Sequence, residues 1–301
     1  MAFLSWRFVL ALALAAPAVA GAATRDSIVD THYVLKAAYA GVIVWDVRRA
    51  EDYDKGHIPG AVNIDHVARA LIDEKTQQFL PLKDIEKRLG GAGIDPRKPI
   101  IVYGARGSTY AHFALWALEY LGAKDVRVLN DGYEGWKEAR RHTTNRAMGR
   151  APIRLKLTPN PKVIVTTEEV VARLGKPNVQ FVDVRRASEF IGEESETRVS
   201  GHLPGAVLIP YNRAYVDPDT PVKLMKGDTT ETTGMNLKAD ADLAAIYANL
   251  DPAKETIVYC HTGIRAAVTY DVLARLGFKN VKVYFASWFE YGNQPGAIAE
   301  R

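Results

Sequence analysis

The chain repeats itself, and a repeat of this length constrains the fold before any single residue is interpreted. Val44-Trp45-Asp46-Val47-Arg48-Arg49-Ala50 returns as Phe181-Val182-Asp183-Val184-Arg185-Arg186-Ala187. Gly56-His57-Ile58-Pro59-Gly60-Ala61-Val62 returns as Gly201-His202-Leu203-Pro204-Gly205-Ala206-Val207. Later, Ile100-Ile101-Val102-Tyr103 corresponds to Thr256-Ile257-Val258-Tyr259, and Leu121-Gly122-Ala123 to Leu276-Gly277-Phe278. Solenoid repeats run about 20 to 50 residues, and this period is well over a hundred, so the pattern is a duplicated domain.

Both halves alternate short apolar runs with helical periodicity. In the first, Asp30 or Thr31 caps a helix that stops at Gly41, and Val42 to Val47 reads as a strand. In the second, Thr166 or Thr167 caps a helix that stops at Gly175, and Val179 to Val184 is the matching strand. Near-continuous apolar strands separated by helices belong to parallel sheets covered on both faces. The expected fold is α/β twice over, each domain a mostly parallel five-stranded sheet flanked by helices. The expected boundaries are 24–144 and 163–301, with 145–162 as a linker containing Pro152, Pro159 and Pro161.

The first 23 residues stand apart. Arg7 is the only charged side chain before Arg25, Phe8 to Ala16 is apolar, and Ala18-Val19-Ala20 has the small-x-small form of a cleavage site. This pattern predicts a secretory signal peptide over 1–23 and a periplasmic mature protein. No later stretch is long and apolar enough to span a membrane. The net charge of +4 is spread along the chain and gives no reason to expect nucleic acid. A single cysteine excludes an internal disulfide and a zinc site built on cysteines, and no ligand cluster calls for a metal or other cofactor.

That cysteine lies in Tyr259-Cys260-His261-Thr262-Gly263-Ile264-Arg265, between a buried-strand pattern and a helix pattern. Ligands bind at the carboxyl edge of open α/β sheets. Amides of a short loop entering a helix favour an anion at their focus, here the thiolate form of Cys260. The duplication supplies a control, because features in both halves serve the fold and features in one half are where chemistry is to be sought. Gly104 occupies the position of Cys260, so the first domain has no nucleophile there. His57 and His202 occur in both halves and are assigned to turn geometry. Asp46 with Arg48, and Asp183 with Arg185, are expected to pair with each other. Arg185 is also placed on the sheet edge of Cys260 and so among the candidate pocket residues.

The paired Asp-Val-Arg and Gly-His-x-Pro-Gly-Ala motifs, with a Cys-x-x-Gly-x-x loop only in the second half, resemble the two-domain rhodaneses, the thiosulfate and mercaptopyruvate sulfurtransferases. The resemblance implies an inactive first domain and a catalytic second one. Cys260 would take a sulfane sulfur from a small-molecule donor, hold it as a persulfide, and pass it to cyanide or a thiol. His261, Thr262, Gly263, Ile264 and Arg265 would form the substrate loop, with Arg265 holding an oxyanion through paired hydrogen bonds, and Trp288 would wall the pocket. His261-Thr262 fits neither the basic pair of thiosulfate-specific members nor the Gly-Ser of mercaptopyruvate-specific ones. Arg265 stands where both groups usually carry Thr.

Two further readings stay open. One is a persulfide carrier that hands sulfur to a specific protein partner. The other is a phosphatase or arsenate reductase, which is disfavoured because the loop is Cys-x4-Arg, one residue shorter than Cys-x5-Arg. The second half also has a Glu-rich insertion at 193–200, since Asp183 to Gly201 spans 18 positions and Asp46 to Gly56 only 10. A polar stretch, 217–237, is the candidate gate or docking loop.

Overall fold

The computed structural model of the protein describes residues 25–228 and 230–301, so the predicted signal peptide lies outside the described residues. Two five-stranded sheets follow one another along the chain. The first comprises β1 (Ile28–Val29), β2 (Ile43–Asp46), β3 (Val62–Asn63), β4 (Ile100–Tyr103) and β5 (Val126–Leu129), in the order β1-β5-β4-β2-β3. The second comprises β6 (Ile164–Val165), β7 (Val179–Asp183), β8 (Val207–Leu208), β9 (Glu255–Tyr259) and β10 (Val281–Tyr284), in the order β6-β10-β9-β7-β8. Every neighbouring pair is parallel. The register repeats too, Asp46 pairing with Tyr103 as Asp183 pairs with Tyr259. The α/β expectation holds in both halves.

Local chemistry starts the helices where the sequence predicts. Asp30 accepts from the Tyr33 amide at 2.7 Å, and Thr166 with Glu169 forms a reciprocal capping box. The helices at Thr31–Tyr39 and Thr167–Arg173 follow from these caps. The shared histidines act in the turns. His57 stacks on Tyr53 at 3.6 Å and bonds its carbonyl; His202 stacks on Phe190 at 3.5 Å and bonds its carbonyl.

The two domains share one apolar core. The helix Thr109–Tyr120 of the first packs against its counterpart Ile264–Arg275 of the second. The first of these is buried on all sides along most of its length, as expected of a helix lying between two sheets. Phe285, just after β10, enters an aromatic group of the first domain, 4.7 Å from Phe79 and 5.2 Å from Trp116. Polar groups at this junction are paired. Asp271, fully buried, accepts from Ser27 at 2.6 Å and lies 3.0 Å from His112 Nδ1. Burial opposes its charge, but the bonds to His112 and Ser27 outweigh burial and lower its pKa.

The stretch 145–162 is irregular until the short helix Pro161–Val163, yet it is fixed to the first domain. Leu155 and Leu157 are buried there, and the Ile153 and Leu157 amides bond Gly90 and Glu86. The stretch 217–237 contains the helix Thr220–Met225 and closes on the first domain through Arg106 to Thr232 Oγ1 at 3.0 Å.

Candidate active site

Strand β9 ends at Tyr259 and the next helix begins at Ile264, so Cys260 to Gly263 must turn sharply at the carboxyl edge of the second sheet. Gly263 makes the turn with φ +81°, and a Cβ there would stand 2.4 Å from the Phe285 ring. Only glycine meets both demands.

The peptide planes of the loop are oriented from outside it. The Cys260 carbonyl accepts from the Trp288 amide at 3.1 Å and the His261 carbonyl from the Phe289 amide at 2.9 Å. In a trans peptide the following N–H points the opposite way, so the His261 and Thr262 amides turn inward. The Gly263 amide donates to Cys260 Sγ at 3.0 Å. Among the described residues, the amides of His261, Thr262, Ile264 and Arg265 have no acceptor. The helix start adds no side-chain cap. These donors, with the helix dipole behind them, form a cradle for negative charge on sulfur.

Cys260 itself is 1% exposed and lies beneath the pocket rather than in its wall. Its own amide donates to Ser287 Oγ at 3.1 Å, and Ser287 donates to the Tyr284 carbonyl at 2.7 Å. Ser287 takes φ +53°, a left-handed conformation that a non-glycine residue adopts only at a cost. Sequence reading passed over its role, and its place beside Trp288 was the only available signal.

Above the sulfur lie two adjoining cavities of about 180 and 380 Å3, both bordered by Arg185, Arg186 and Arg265. Arg185 pairs with Asp183 through Nε and Nη2, gives a second Nη2 bond to the Gly201 carbonyl at 2.7 Å, and lies 4.7 Å from the Trp288 ring centroid. The expected Asp-Arg pairing and the expected pocket position are therefore both present in one residue. Trp288 walls the smaller cavity while remaining buried.

Arg265 differs from expectation. Its two terminal nitrogens are each 2.8 Å from a Glu189 oxygen, so the paired donors expected to hold a substrate oxyanion are already occupied. The reason is desolvation, because a largely buried guanidinium requires a carboxylate partner. Burial opposes the charge of Glu189, but Arg265 and then Arg186 outweigh it and hold the carboxyl at about 2. Burial likewise pushes the Tyr211 phenol up to about 12, against the pull of Arg265.

His261 lies at the mouth with Nε2 3.3 Å from Glu196, a residue of the Glu-rich insertion. Burial lowers its pKa against the attraction of Glu196, so the ring is neutral at neutral pH. Thr262 and Ile264 border neither cavity, and the Thr262 hydroxyl makes no hydrogen bond among the described residues. Glu194 and Glu196 were missed as pocket residues because the insertion has no counterpart in the first half, and Glu189 because its partner Arg265 is 76 residues away along the chain. Among the described residues no helix is long and apolar enough to cross a membrane.

Comparison with known proteins agrees with this geometry. A family profile described as the rhodanese-like domain matches residues 31–139 and again 166–294. The chain is 35% identical over 255 residues to a thiosulfate sulfurtransferase of Corynebacterium glutamicum, covering 80% of this chain and 78% of that one. It is 30% identical to a thiosulfate sulfurtransferase of Pseudomonas aeruginosa, covering 86% of this chain and 91% of that one. In fold it is similar to the anaerobic ergothioneine biosynthesis enzyme of Chlorobium limicola, with a TM-score of 0.77 at 23% identity, covering 91% of this chain and 70% of that one. With both halves matched and a cysteine cradle in the second alone, the chain belongs to the rhodanese family as a tandem two-domain member.

Proposed function

We propose that the protein is a thiosulfate sulfurtransferase working by double displacement at Cys260. The Cys260 thiolate attacks the outer sulfur of thiosulfate, an S–S bond forms to Cys260, and sulfite leaves with the electron pair of the broken bond. Cyanide or a thiolate then attacks that outer sulfur, and Cys260 leaves as the thiolate. The carrying observation is the loop from Cys260 to Arg265, whose carbonyls bond Trp288 and Phe289 while its amides face inward. The outer sulfur of a persulfide stands about 2 Å beyond Sγ, bringing it from beneath the pocket toward those amides. No separate general base is needed when the cradle favours the thiolate.

The sulfonate of thiosulfate needs cationic donors that are not already used. Arg185 pairs with Asp183 and Arg186 with Glu189 and Glu194, but each borders both cavities and keeps Nη1 without an acceptor among the described residues, whereas both terminal nitrogens of Arg265 are taken. They supply the sulfonate site in place of the Glu189-bound Arg265. The naming of relatives as thiosulfate sulfurtransferases supports the same donor. The leader over 1–23 supports export to the periplasm, which the mass of the protein recovered from a periplasmic extract would check.

The test is thiocyanate formation from thiosulfate and cyanide, with mercaptopyruvate as a competing donor and Cys260→Ser as control. Expected are turnover with thiosulfate, one sulfur atom added to the Cys260 peptide by mass spectrometry, and neither in the variant. Persulfide formation without thiocyanate would replace this reading with that of a sulfur carrier.

A further inference from the structure

The positive excess of the chain is concentrated in one segment, contrary to the even spread expected from the sequence. Between Glu138 and Glu168 lie seven Lys and Arg, from Arg140 to Lys162, and no Asp or Glu. That segment carries more positive charge than the whole chain, whose net charge is +4, so the remainder is net negative. None of the seven has a carboxylate partner among the described residues. Unpaired surface cations of one sign in an ordered segment add up to a potential that mixed charges cancel.

The fold lays this segment across one edge of the first domain. Arg150 reaches the Gly41 carbonyl at 3.5 Å, the Ile153 amide donates to the Gly90 carbonyl at 2.9 Å, and the Asn160 amide to the Tyr120 carbonyl at 2.6 Å. Gly41, Gly90 and Tyr120 stand at the ends of the helices that lead into β2, β4 and β5, so the segment crosses the amino edge of the first sheet. Arg154 and Lys156 are exposed and alternate with the buried Leu155 and Leu157, so both point away from the domain. Two apolar side chains stand bare beside these cations. Tyr39, two residues before Gly41, is 87% exposed, and Met148, between Arg146 and Arg150, is 61% exposed. The carboxyl ends of three helices account for some of the cations. They do not account for an exposed tyrosine and methionine among them.

We propose that this edge is a docking surface for an anionic lipid bilayer. Arg146, Arg150, Arg154 and Lys156 meet the headgroups, while Tyr39 and Met148 enter the headgroup boundary. Basic side chains are drawn to a negatively charged leaflet, and aromatic and aliphatic ones leave water at the same depth. A nucleic-acid backbone offers charge alone and gives Met148 nothing. Attachment is peripheral, since among the described residues no helix is long and apolar enough to cross a membrane, and it is screened by salt. The Gly104 loop and the cavity it borders lie at the opposite, carboxyl edge of the first sheet, so docking leaves that cavity facing away from the bilayer. The surface is separate from the Cys260 chemistry and does not depend on it.

The experiment is co-sedimentation of the full chain with vesicles of phosphatidylcholine alone and of equal parts phosphatidylcholine and phosphatidylglycerol. Expected are binding to the anionic vesicles, little to the neutral ones, and release in high salt. Arg154→Glu combined with Lys156→Glu should weaken that binding about thirtyfold. Lys176→Glu combined with Lys279→Glu makes the same charge change at exposed positions of the second domain and should shift it by less than about twofold. Tyr39→Ser and Met148→Ser should each weaken it severalfold without flattening its salt dependence. All these side chains are exposed, so a thermal melt like that of wild type shows each variant folded. The first 23 residues are the same in every arm, so the ratio to wild type reads the strip alone. Equal loss in the two double variants, no preference for the anionic vesicles, or an unaffected Arg154/Lys156 variant would overturn the proposal. Binding to a DNA duplex as tight as to the vesicles, lost in that variant and indifferent to Tyr39 and Met148, would assign the strip to nucleic acid and overturn it as well.

Discussion

The loop Cys260–Arg265 and the loop Gly104–Thr109 begin from the same scaffold. Gly263 and Gly107 take φ of +81° and +77°, and the Trp288 and Tyr133 amides bond the Cys260 and Gly104 carbonyls alike. They differ in where their remaining amides go. In the first domain the Arg106 amide is held by Glu134 at 2.7 Å, the Ser108 amide by the Ala105 carbonyl at 3.0 Å, and the Tyr110 amide by the Ser108 hydroxyl. In the second, the matching amides of Thr262, Ile264 and Ala266 have no acceptor among the described residues, and the Gly263 amide donates to the Cys260 sulfur. The first domain therefore lacks the nucleophile, and the amides of Arg106, Ser108 and Tyr110 in its loop are already taken. Duplicated folds can lose chemistry by filling donors internally as well as by substituting one atom.

The strongest challenge to this contrast is an exchange of cysteine between the loops. Cys260→Gly is expected to abolish thiocyanate formation, and adding Gly104→Cys to it is expected not to restore any. Turnover by that double variant would show that the filled amides of the first loop do not matter. Next come the two glycines. Gly263→Ala and Gly107→Ala each place a Cβ 2.4 Å from a neighbour, Phe285 in one case and the Met235 carbonyl in the other. Each should lose about 1–3 kcal/mol in denaturant unfolding. Only Gly263→Ala should also lose activity, so equal activity in the two would remove the functional difference between the loops.

The Glu189 to Arg265 pair has no counterpart in the first domain, where the loop's last position is Thr109. Glu189 has its folded pKa depressed from 4.5 to about 2, so its contribution to stability is present above 4.5 and lost as pH falls toward about 2. Urea titrations from pH 5 to pH 2.5 should therefore show a shallower pH dependence for Glu189→Gln than for wild type. The smallest effect is expected at Ser287, which stands where the first domain has Gly132 at φ +57°. Ser287→Gly relieves backbone strain but removes the Oγ bond to the Cys260 amide, so stability should change by less than about 1 kcal/mol. Thiocyanate turnover should fall, because the amide that orients the loop loses its acceptor; unchanged turnover would make Ser287 a packing residue only.

Much of this protein is legible without coordinates. Duplicated motifs fix two parallel α/β domains, because strand and helix periodicities are local and repeat with the sequence. The single Cys260 before Gly263 marks the site, because a tight turn and a nucleophile each depend on one residue type. Charge pairing within a strand end, as in Asp183 with Arg185, is similarly local.

What tertiary structure alone decides is which donors and charges remain free. Glu189 occupies Arg265 across 76 residues of chain, and Phe285 braces Gly263 while lying among the first domain's aromatic residues. The helix Thr220–Met225 of the second domain stands between two cavities, one bordered by Arg265 and the other by the first domain's Gly104 loop. Hydrogen bonds and desolvation act over a few ångströms in space, whatever the distance along the chain. A sequence read in order shows which groups exist, and only the folded chain shows which of them have already found a partner.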